Sequence, residues 1–238
     1  MKMRLDKFLA HYGLGTRKEV KNLIHKGHIS INNEIIRKDD FIIDSDQDTV
    51  VADGQIISYK EFVYIMLNKP AGYVSATKDN LHPTVIDLIK GYSQYDLFPA
   101  GRLDKDTEGL LIITNDGDFS HKLLSPKRHH SKIYYALIDG VMTSDDIIKF
   151  KEGILIDGYR CFPANLDIIT VTENQSEVYI EIFEGKFHQI KKMVQATGKK
   201  VIYLKRLEIK SLVLDKNLQP GQYRELTDDE LFDLKKDL

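Results

Sequence analysis

The chain has 238 residues, 42% of them apolar and 29% charged, with a formal net charge of −2 and one cysteine, Cys161. That balance predicts a soluble globular protein, either one large domain or a small domain joined to a medium one. The lone cysteine excludes an internal disulfide and a CxxC zinc staple, and no apolar run reaches the roughly 18 residues a membrane span needs.

Taken in order, residues 4–12 place Leu5, Phe8, Leu9 and Tyr12 at helical spacing, and Gly13 stands where a left-handed residue would end the helix. Thr16 and Glu19 form a capping box for a second helix, with Val20, Leu23 and Ile24 as its apolar stripe and Gly27 at its end. Arg17, Lys18 and Lys21 fall on the opposite side. Three short strands are predicted next, in HISIN, in EIIR after the Asn32-Asn33 turn, and in TVVADGQII. These elements define a small first domain over residues 1–60, followed by a second over 61–238.

In the second domain FVYIML reads as a buried strand, turned by Pro70 and Gly72, and HPTVIDLI as a short helix. GRLDKDTEGL then runs directly into the β-branched LLIIT, so dense polar chemistry abuts a core strand; buried ions need partners, which marks this stretch as a site. DFSHKLLS is a helix stopped by Pro126, KIYYAL a strand, and Thr143 with Asp146 caps a helix ending at Gly153. Strands follow in ILID, ANLDIIT and SEVYIEI, then a helix in FHQIKKMVQATG. KVIYLKRLEIKSLVL alternates over a long span, and Thr227 with Glu230 caps a terminal helix. Strands outnumber helices without strict alternation, so the fold class is α+β with a largely antiparallel central sheet.

Charge is segregated despite the near-neutral total. Residues 1–38 hold nine Lys/Arg against three acids, residues 185–210 hold eight against Glu208 alone, and residues 119–138 hold Lys122, Lys127, Arg128 and Lys132 with no acid. Such a distribution makes a positive face that a polyanion would find. Asp104, Asp106, Glu108 and Gly109 imitate the start of a calcium loop, but the twelfth position is Asn115, which cannot supply a bidentate carboxylate. A two-metal nuclease would draw on Asp116, Asp118 and His121 as well, with nothing to fix their geometry. No GxSxG, triad spacing or Gly-rich phosphate loop is present.

The order RLDKFLA, TR, a basic helix and KGHISINNEII resembles the S4 RNA-binding domain. That resemblance implies that Arg4, Lys7, Arg17, Lys18 and Lys21 meet structured RNA, whose phosphates a rigid basic face would contact. GRLDKDTEGLLIITNDG with KIYYAL, EGKFHQIKKM and VIYLKR resembles the RsuA family of pseudouridine synthases across essentially all of residues 60–230. Members isomerise a uridine to pseudouridine with no metal or cofactor. Carried over by motif, Asp104 is the nucleophile, attacking either the uracil ring or the sugar carbon. Tyr134 stacks on the base, and Lys191 is the cation paired with the aspartate, where much of the wider superfamily has Arg. Arg102, Leu204 and Arg206 match substrate-binding and framework positions, and Lys127 and Arg128 extend the RNA-binding face. Asp106 and Glu108 are expected to serve the turn. The resemblance extends to DNLHPTVIDLI and LQPGQYRELTDDEL, which makes small-subunit 16S ribosomal RNA the expected substrate and a large-subunit rRNA synthase of the same family the alternative. A non-catalytic ribosome assembly factor is the reading from another class. The partner expected is ribosomal RNA, in or out of an assembling small-subunit particle, and the protein is expected to be a monomer in the cytoplasm with no membrane association, since no secretory leader opens the chain.

Overall fold

The computed structural model describes residues 2–45, 47–57 and 60–238. It divides into two units, one formed by Met1–Phe62 with Gly91–Asp96 and the other by Val63–Lys90 with Leu97–Leu238.

In the first unit strand β1 (Lys2–Arg4) leads straight into helix α1 (Leu5–Tyr12), and helix α2 (Arg17–Lys26) follows. Strands β2 (Ile29–Ile31), β3 (Glu34–Ile35), β4 (Ile42–Asp44), β5 (Val50–Ala52) and β6 (Gln55–Ile57) complete it. Helical spacing places Arg4 at the start of α1; in the structure it belongs to β1, because Lys2, Met3 and Arg4 pair antiparallel with β4. Gly13 and Gly27 end the two helices at φ 92° and 84°, conformations an L side chain resists. Thr16 and Glu19 cap α2 reciprocally: the Glu19 carboxylate accepts the Thr16 N–H at 2.7 Å, and the Thr16 hydroxyl accepts the Glu19 N–H at 3.4 Å. The other four strands form one antiparallel sheet in the order β3-β2-β5-β6. Leu5, Phe8, Leu9, Val20, Ile24 and Ile29 meet in a single core beneath it.

The second unit begins with β7 (Tyr64–Lys69), a single 3-10 turn at Val85–Leu88 where a short helix is predicted, β8 (Phe98–Ala100) and β9 (Glu108–Thr114). Helix α3 (Gly117–Leu124) is capped by Asp116, which accepts the Phe119 N–H at 2.9 Å. Then come β10 (Lys132–Asp139), α4 (Ser144–Glu152), a small hairpin of β11 (Leu155–Ile156) and β12 (Tyr159–Arg160), β13 (Asn165–Val171), β14 (Gln175–Ile182) and α5 (Gln189–Ala196). The chain closes with β15 (Lys200–Ile209), β16 (Leu212–Val213), β17 (Tyr223–Glu225) and α6 (Asp228–Lys235). The long alternating span predicted over 200–214 is broken at Lys210, which sits at φ 52° and folds β16 back on β15.

Seven of these strands run across one sheet in the order β13-β14-β10-β15-β9-β7-β17, with β16 beside β15 and β8 beside β9. Among the named strands of this sheet, β9 and β15 alone pair in parallel; every other neighbour is antiparallel. Leu110 and Ile112 face a core with Met66, Phe119, Leu123 and Leu234. The pleat sends Leu111 and Ile113 to the opposite face, where they are also fully buried. A strand covered on both faces reads as a continuous apolar run, and each such side chain contributes about 1.5–3 kcal/mol.

The parallel junction rests on Gly109. A β-carbon there would lie 2.2 Å from the Arg206 carbonyl oxygen and 2.8 Å from its nitrogen, and the residue has φ 101°. Gly109→Ala should therefore cost at least about 3 kcal/mol in urea unfolding, from backbone strain and the forced separation of β9 from β15. Gly117 has open space around its missing β-carbon and serves as the control, with Gly117→Ala expected to stay within about 0.5 kcal/mol of the parent.

Candidate active site

Asp104 sits in the loop joining β8 to β9, and short-range polymer stiffness does not explain how that loop is held. Its fixtures come from the β7 end and the segment after it. The Ser75 hydroxyl donates to the Leu103 carbonyl at 2.9 Å and accepts the Leu103 N–H at 3.0 Å. Gly72 N–H donates to the Lys105 carbonyl at 2.8 Å, and Thr107 N–H donates to the Asp104 carbonyl at 3.1 Å. Lys69 is fully buried, and its ammonium donates to the carbonyls of Thr107, Pro70 and Lys105 at 2.8, 3.0 and 3.3 Å. Three carbonyl acceptors satisfy the three donors of an ammonium, which is how a charge survives there. Burial pushes Lys69 down to about 8, while the nearby carboxylates of Asp106, Glu108 and Asp104 pull the other way.

The opposite wall is the start of α5. His188 occupies its N-cap position in the left-handed region, at φ 54°. Its Nε2 stands 3.6 Å from Asp104 Oδ1, and its ring stacks on Phe187 with centroids 3.8 Å apart. Lys191, one turn later, places Nζ 2.9 Å from Asp104 Oδ2 and 2.6 Å from Asp106 Oδ1. Burial works against the Lys191 charge, but the hydrogen bonds to Asp106 and Asp104 outweigh it and raise its pKa. Asp106 answers in kind: burial pushes it up, the Lys191 hydrogen bond more than reverses this, and its pKa is lowered. Asp106 and Glu108, expected to serve the turn and its hydrogen bonds, also bond to side chains beyond it. Asp106 shares Lys191 with Asp104, and Glu108 accepts the Tyr203 hydroxyl at 2.7 Å. The two aspartates that imitate a calcium loop are bridged by a lysine.

Tyr134 and Leu204 supply the floor. Tyr134 on β10 is opposite Arg206 on β15, and Ala136 is opposite Leu204, so the pleat brings Tyr134, Leu204 and Arg206 to one face. Asp104, Tyr134, Lys191, Leu204, His188 and the exposed Arg102 line one cleft. Arg206 is 2% exposed and stands apart from it, its Nε donating to the Leu110 carbonyl at 2.8 Å. Behind α5 the buried carboxylate of Glu184 accepts from the Tyr159 hydroxyl, the Phe162 N–H and the Gln189 side-chain amide at 2.9, 2.9 and 3.0 Å. This ties the hairpin to the helix that carries His188 and Lys191.

Sequence reading missed Lys69, Ser75, His188 and Glu184 as site-building residues. The signal for Lys69 was its place before Pro70 at the end of an apolar strand; for Glu184 and His188 it was their closeness to Lys191 in EGKFHQIKK.

The expected RNA-facing residues separate into two groups. Arg4 spends its guanidinium on both oxygens of Asp6 at 3.0 Å each, and Lys21 lies 2.8 Å from Asp39. Arg17 and Lys18 are exposed at the start of α2, and Lys7 is half-buried on α1. In the second unit Lys127 and Arg128 are exposed on the 3-10 turn Pro126–Arg128, where Arg128 donates to the Asp237 carbonyl. No helix is long and apolar enough to cross a membrane among the described residues.

The chain is also similar to known proteins. Residues 63–196 match the family model described as RNA pseudouridylate synthase, and residues 3–50 match the S4 domain. An uncharacterized RNA pseudouridine synthase of Bacillus subtilis, YtzG, is 44% identical over 96% of this chain and 97% of its own. Ribosomal small subunit pseudouridine synthase A of Escherichia coli is 37% identical over 96% of this chain and 98% of its own. A crystal structure of a pseudouridylate synthase superposes with a TM-score of 0.67 at 35% identity, covering 98% of this chain and 99% of that one.

The buried Lys69 has a measurable consequence. Below pH 8 both folded and unfolded states hold its proton and its contribution to stability is constant; between about 8 and the ordinary 10.5 the unfolded chain alone holds it, so stability rises with pH. Urea titrations at about pH 7.5 and about pH 10 should show that rise reduced in Lys69→Met by on the order of 2 kcal/mol. An equal rise in both proteins would remove Lys69 from that window.

Proposed function

The chain belongs to the RNA pseudouridylate synthase family, with an S4 domain ahead of the catalytic region, and on that premise we propose that it isomerises one uridine of small-subunit 16S ribosomal RNA with Asp104 as the nucleophile. The observation that carries the proposal is the Asp104–Lys191 pair at 2.9 Å in a cleft floored by Tyr134 and Leu204. The full-length likeness to the ribosomal small subunit synthase supports the choice of RNA.

In this reading the target nucleotide leaves its stack, at a cost of a few kcal/mol, and enters the cleft. Stacking on Tyr134 returns roughly 1–3 kcal/mol. Lys191 places its positive charge 2.9 Å from the Asp104 carboxylate, and Asp106 keeps Lys191 charged. Asp104 attacks the uracil ring or the sugar carbon, and the covalent bond it forms is broken again before the product leaves, which restores the free carboxylate. Along either route the N1–C1′ bond breaks, the base turns, a C5–C1′ bond forms, the C5 proton leaves and N1 gains one. Product and substrate are isomers, so the step balances with no external reductant or oxidant. Arg17 and Lys18 of the S4 unit, with Lys7, Lys127 and Arg128, meet phosphates of the folded RNA. The protein works as a cytoplasmic monomer, on ribosomal RNA or on an assembling small-subunit particle.

Asp104→Asn should lower isomerisation at least about a thousandfold while RNA affinity stays within a few-fold, since the amide keeps the shape and loses the nucleophile. Turnover within tenfold of the parent would sink the assignment. A chemical map of pseudouridine in both ribosomal RNAs, from cells with and without the gene, tests the substrate. One site lost from small-subunit RNA is the expected result. Loss from large-subunit RNA selects the alternative target, and no loss alongside intact RNA binding selects a non-catalytic assembly factor.

A further inference from the structure

A second cleft, of about 280 Å³, shares the Arg102, Tyr134 and Gly185 wall with the nucleophile's cleft. Three cations line it, the exposed Arg102 of the shared wall, Lys132 and Arg206. Lys132 lies two residues before Tyr134 on β10, and Arg206 is Tyr134's cross-strand partner on β15. The Arg206 side chain donates through Nε to the Leu110 carbonyl, yet its Nη2 is buried and has no hydrogen-bond partner among the described residues. Lys132 gives one hydrogen bond, to the His130 carbonyl at 2.9 Å. An ammonium carries three donors and a guanidinium five, so both groups have capacity left over.

Neither Lys132 nor Arg206 has a carboxylate partner among the described residues. Glu184 is the one acid lining this cleft, and both its oxygens already accept, Oε2 from Tyr159 and Oε1 from Phe162 and Gln189. The contrast with Lys69 is direct: there three carbonyls complete a buried cation, whereas here two cations line one cleft with donors unpaired. Burial, with the Arg206 charge adding to it and Glu184 opposing it, pushes Lys132 down to about 8. A buried donor left unmade is costly, and a pair of like charges more so; an anion with several acceptor oxygens relieves both. Exposed Lys127 and Arg128 follow Pro126 and Ser125 of the cleft's lining, so the approach is positive.

We infer that this second cleft is a phosphate subsite, in which Arg206 Nη2 and Lys132 Nζ hold the phosphodiester adjoining the uridine that enters the Asp104 cleft. The inference rests on reading that neighbouring cleft as the uridine site. Base and phosphate of one nucleotide then lie on the two sides of the shared wall, and Tyr134 is fixed between them. Lys132 is a binding residue in this scheme and takes no part in bond making.

The test uses the full-length chain and its Lys132→Gln, Lys132→Arg and Asp104→Asn variants, with two probes, inorganic phosphate and a small-subunit rRNA transcript. Calorimetric titration with phosphate should show a site present in the parent, retained in Asp104→Asn and lost in Lys132→Gln. With RNA, Lys132→Gln should raise KM roughly tenfold with kcat within a few-fold, and the slope of log affinity against log salt should fall by about one. Lys132→Arg should restore most of both, which a purely structural loss would not allow. Unchanged KM and salt slope in Lys132→Gln, or phosphate binding that survives it, overturns the subsite. Phosphate binding lost in Lys132→Gln, in a parent that binds the transcript but does not isomerise it, would leave the subsite standing and remove the catalytic reading. Free phosphate bound at Lys132 with no change in RNA behaviour would make the cleft a site for the free ion, and the phosphodiester assignment would fall.

Discussion

The carbonyl oxygen of Arg206 lies 2.2 Å from where a β-carbon on residue 109 would sit, and the catalytic unit depends on that approach being possible. Here the two halves of the sheet join in parallel, with Lys205 opposite Glu108 and Arg206 opposite Gly109. The loop bearing Asp104 ends where β9 begins, and the strand bearing Leu204 and Arg206 passes beside it. β10 is the next strand along and carries Tyr134. One close backbone contact therefore sets the spacing of Asp104, Tyr134 and the buried Arg206 together. A glycine is required because any side chain would have to occupy a peptide group.

Around this junction the unit handles positive charge in three ways. Lys69 is buried and satisfied by backbone carbonyls, and so works as a clamp on the loop. Lys191 is shared by two carboxylates, which keep it charged. Lys132 and Arg206 line one cleft with hydrogen-bonding capacity unspent. The first two arrangements are complete within the protein alone, and the third leaves donors unpaired among the described residues. Electrostatic preorganisation of this kind places the cost of assembling charge in folding, ahead of the reaction.

The first unit manages its charge differently. Asp6 is buried, and its pKa is lowered chiefly by the hydrogen bond from Arg4, so one of the basic groups expected to face RNA is held by an acid of its own domain. Lys21 is held by Asp39 in the same way. A count of basic residues overstates the free positive charge of this face, while Arg17 and Lys18 keep theirs exposed. The S4 unit's attraction for a polyanion is correspondingly more local than a net of charges along the chain implies.

Local signals determined much of this protein from the sequence alone. Thr16 with Glu19, Thr143 with Asp146, Thr227 with Glu230, and Gly13 and Gly27 marked helix ends correctly, because a cap is decided within four residues. The alternation in SEVYIEI and the apolar run LLIIT identified strands for the same reason, and motif likeness singled out Asp104, Tyr134 and Lys191 as residues to watch. What no local pattern contained was who meets whom. β1 exists because residues 2–4 find β4 some forty residues on, which is why Arg4 is extended and not helical. Asp106 looked like a turn residue until Lys191, 85 positions away, was found bonded to it. Lys69 ends one strand and Lys132 begins another. Only the folded chain shows that one has three acceptors and that the other, beside Arg206, has too few, because a hydrogen-bond balance belongs to a place in space and not to a position in the sequence.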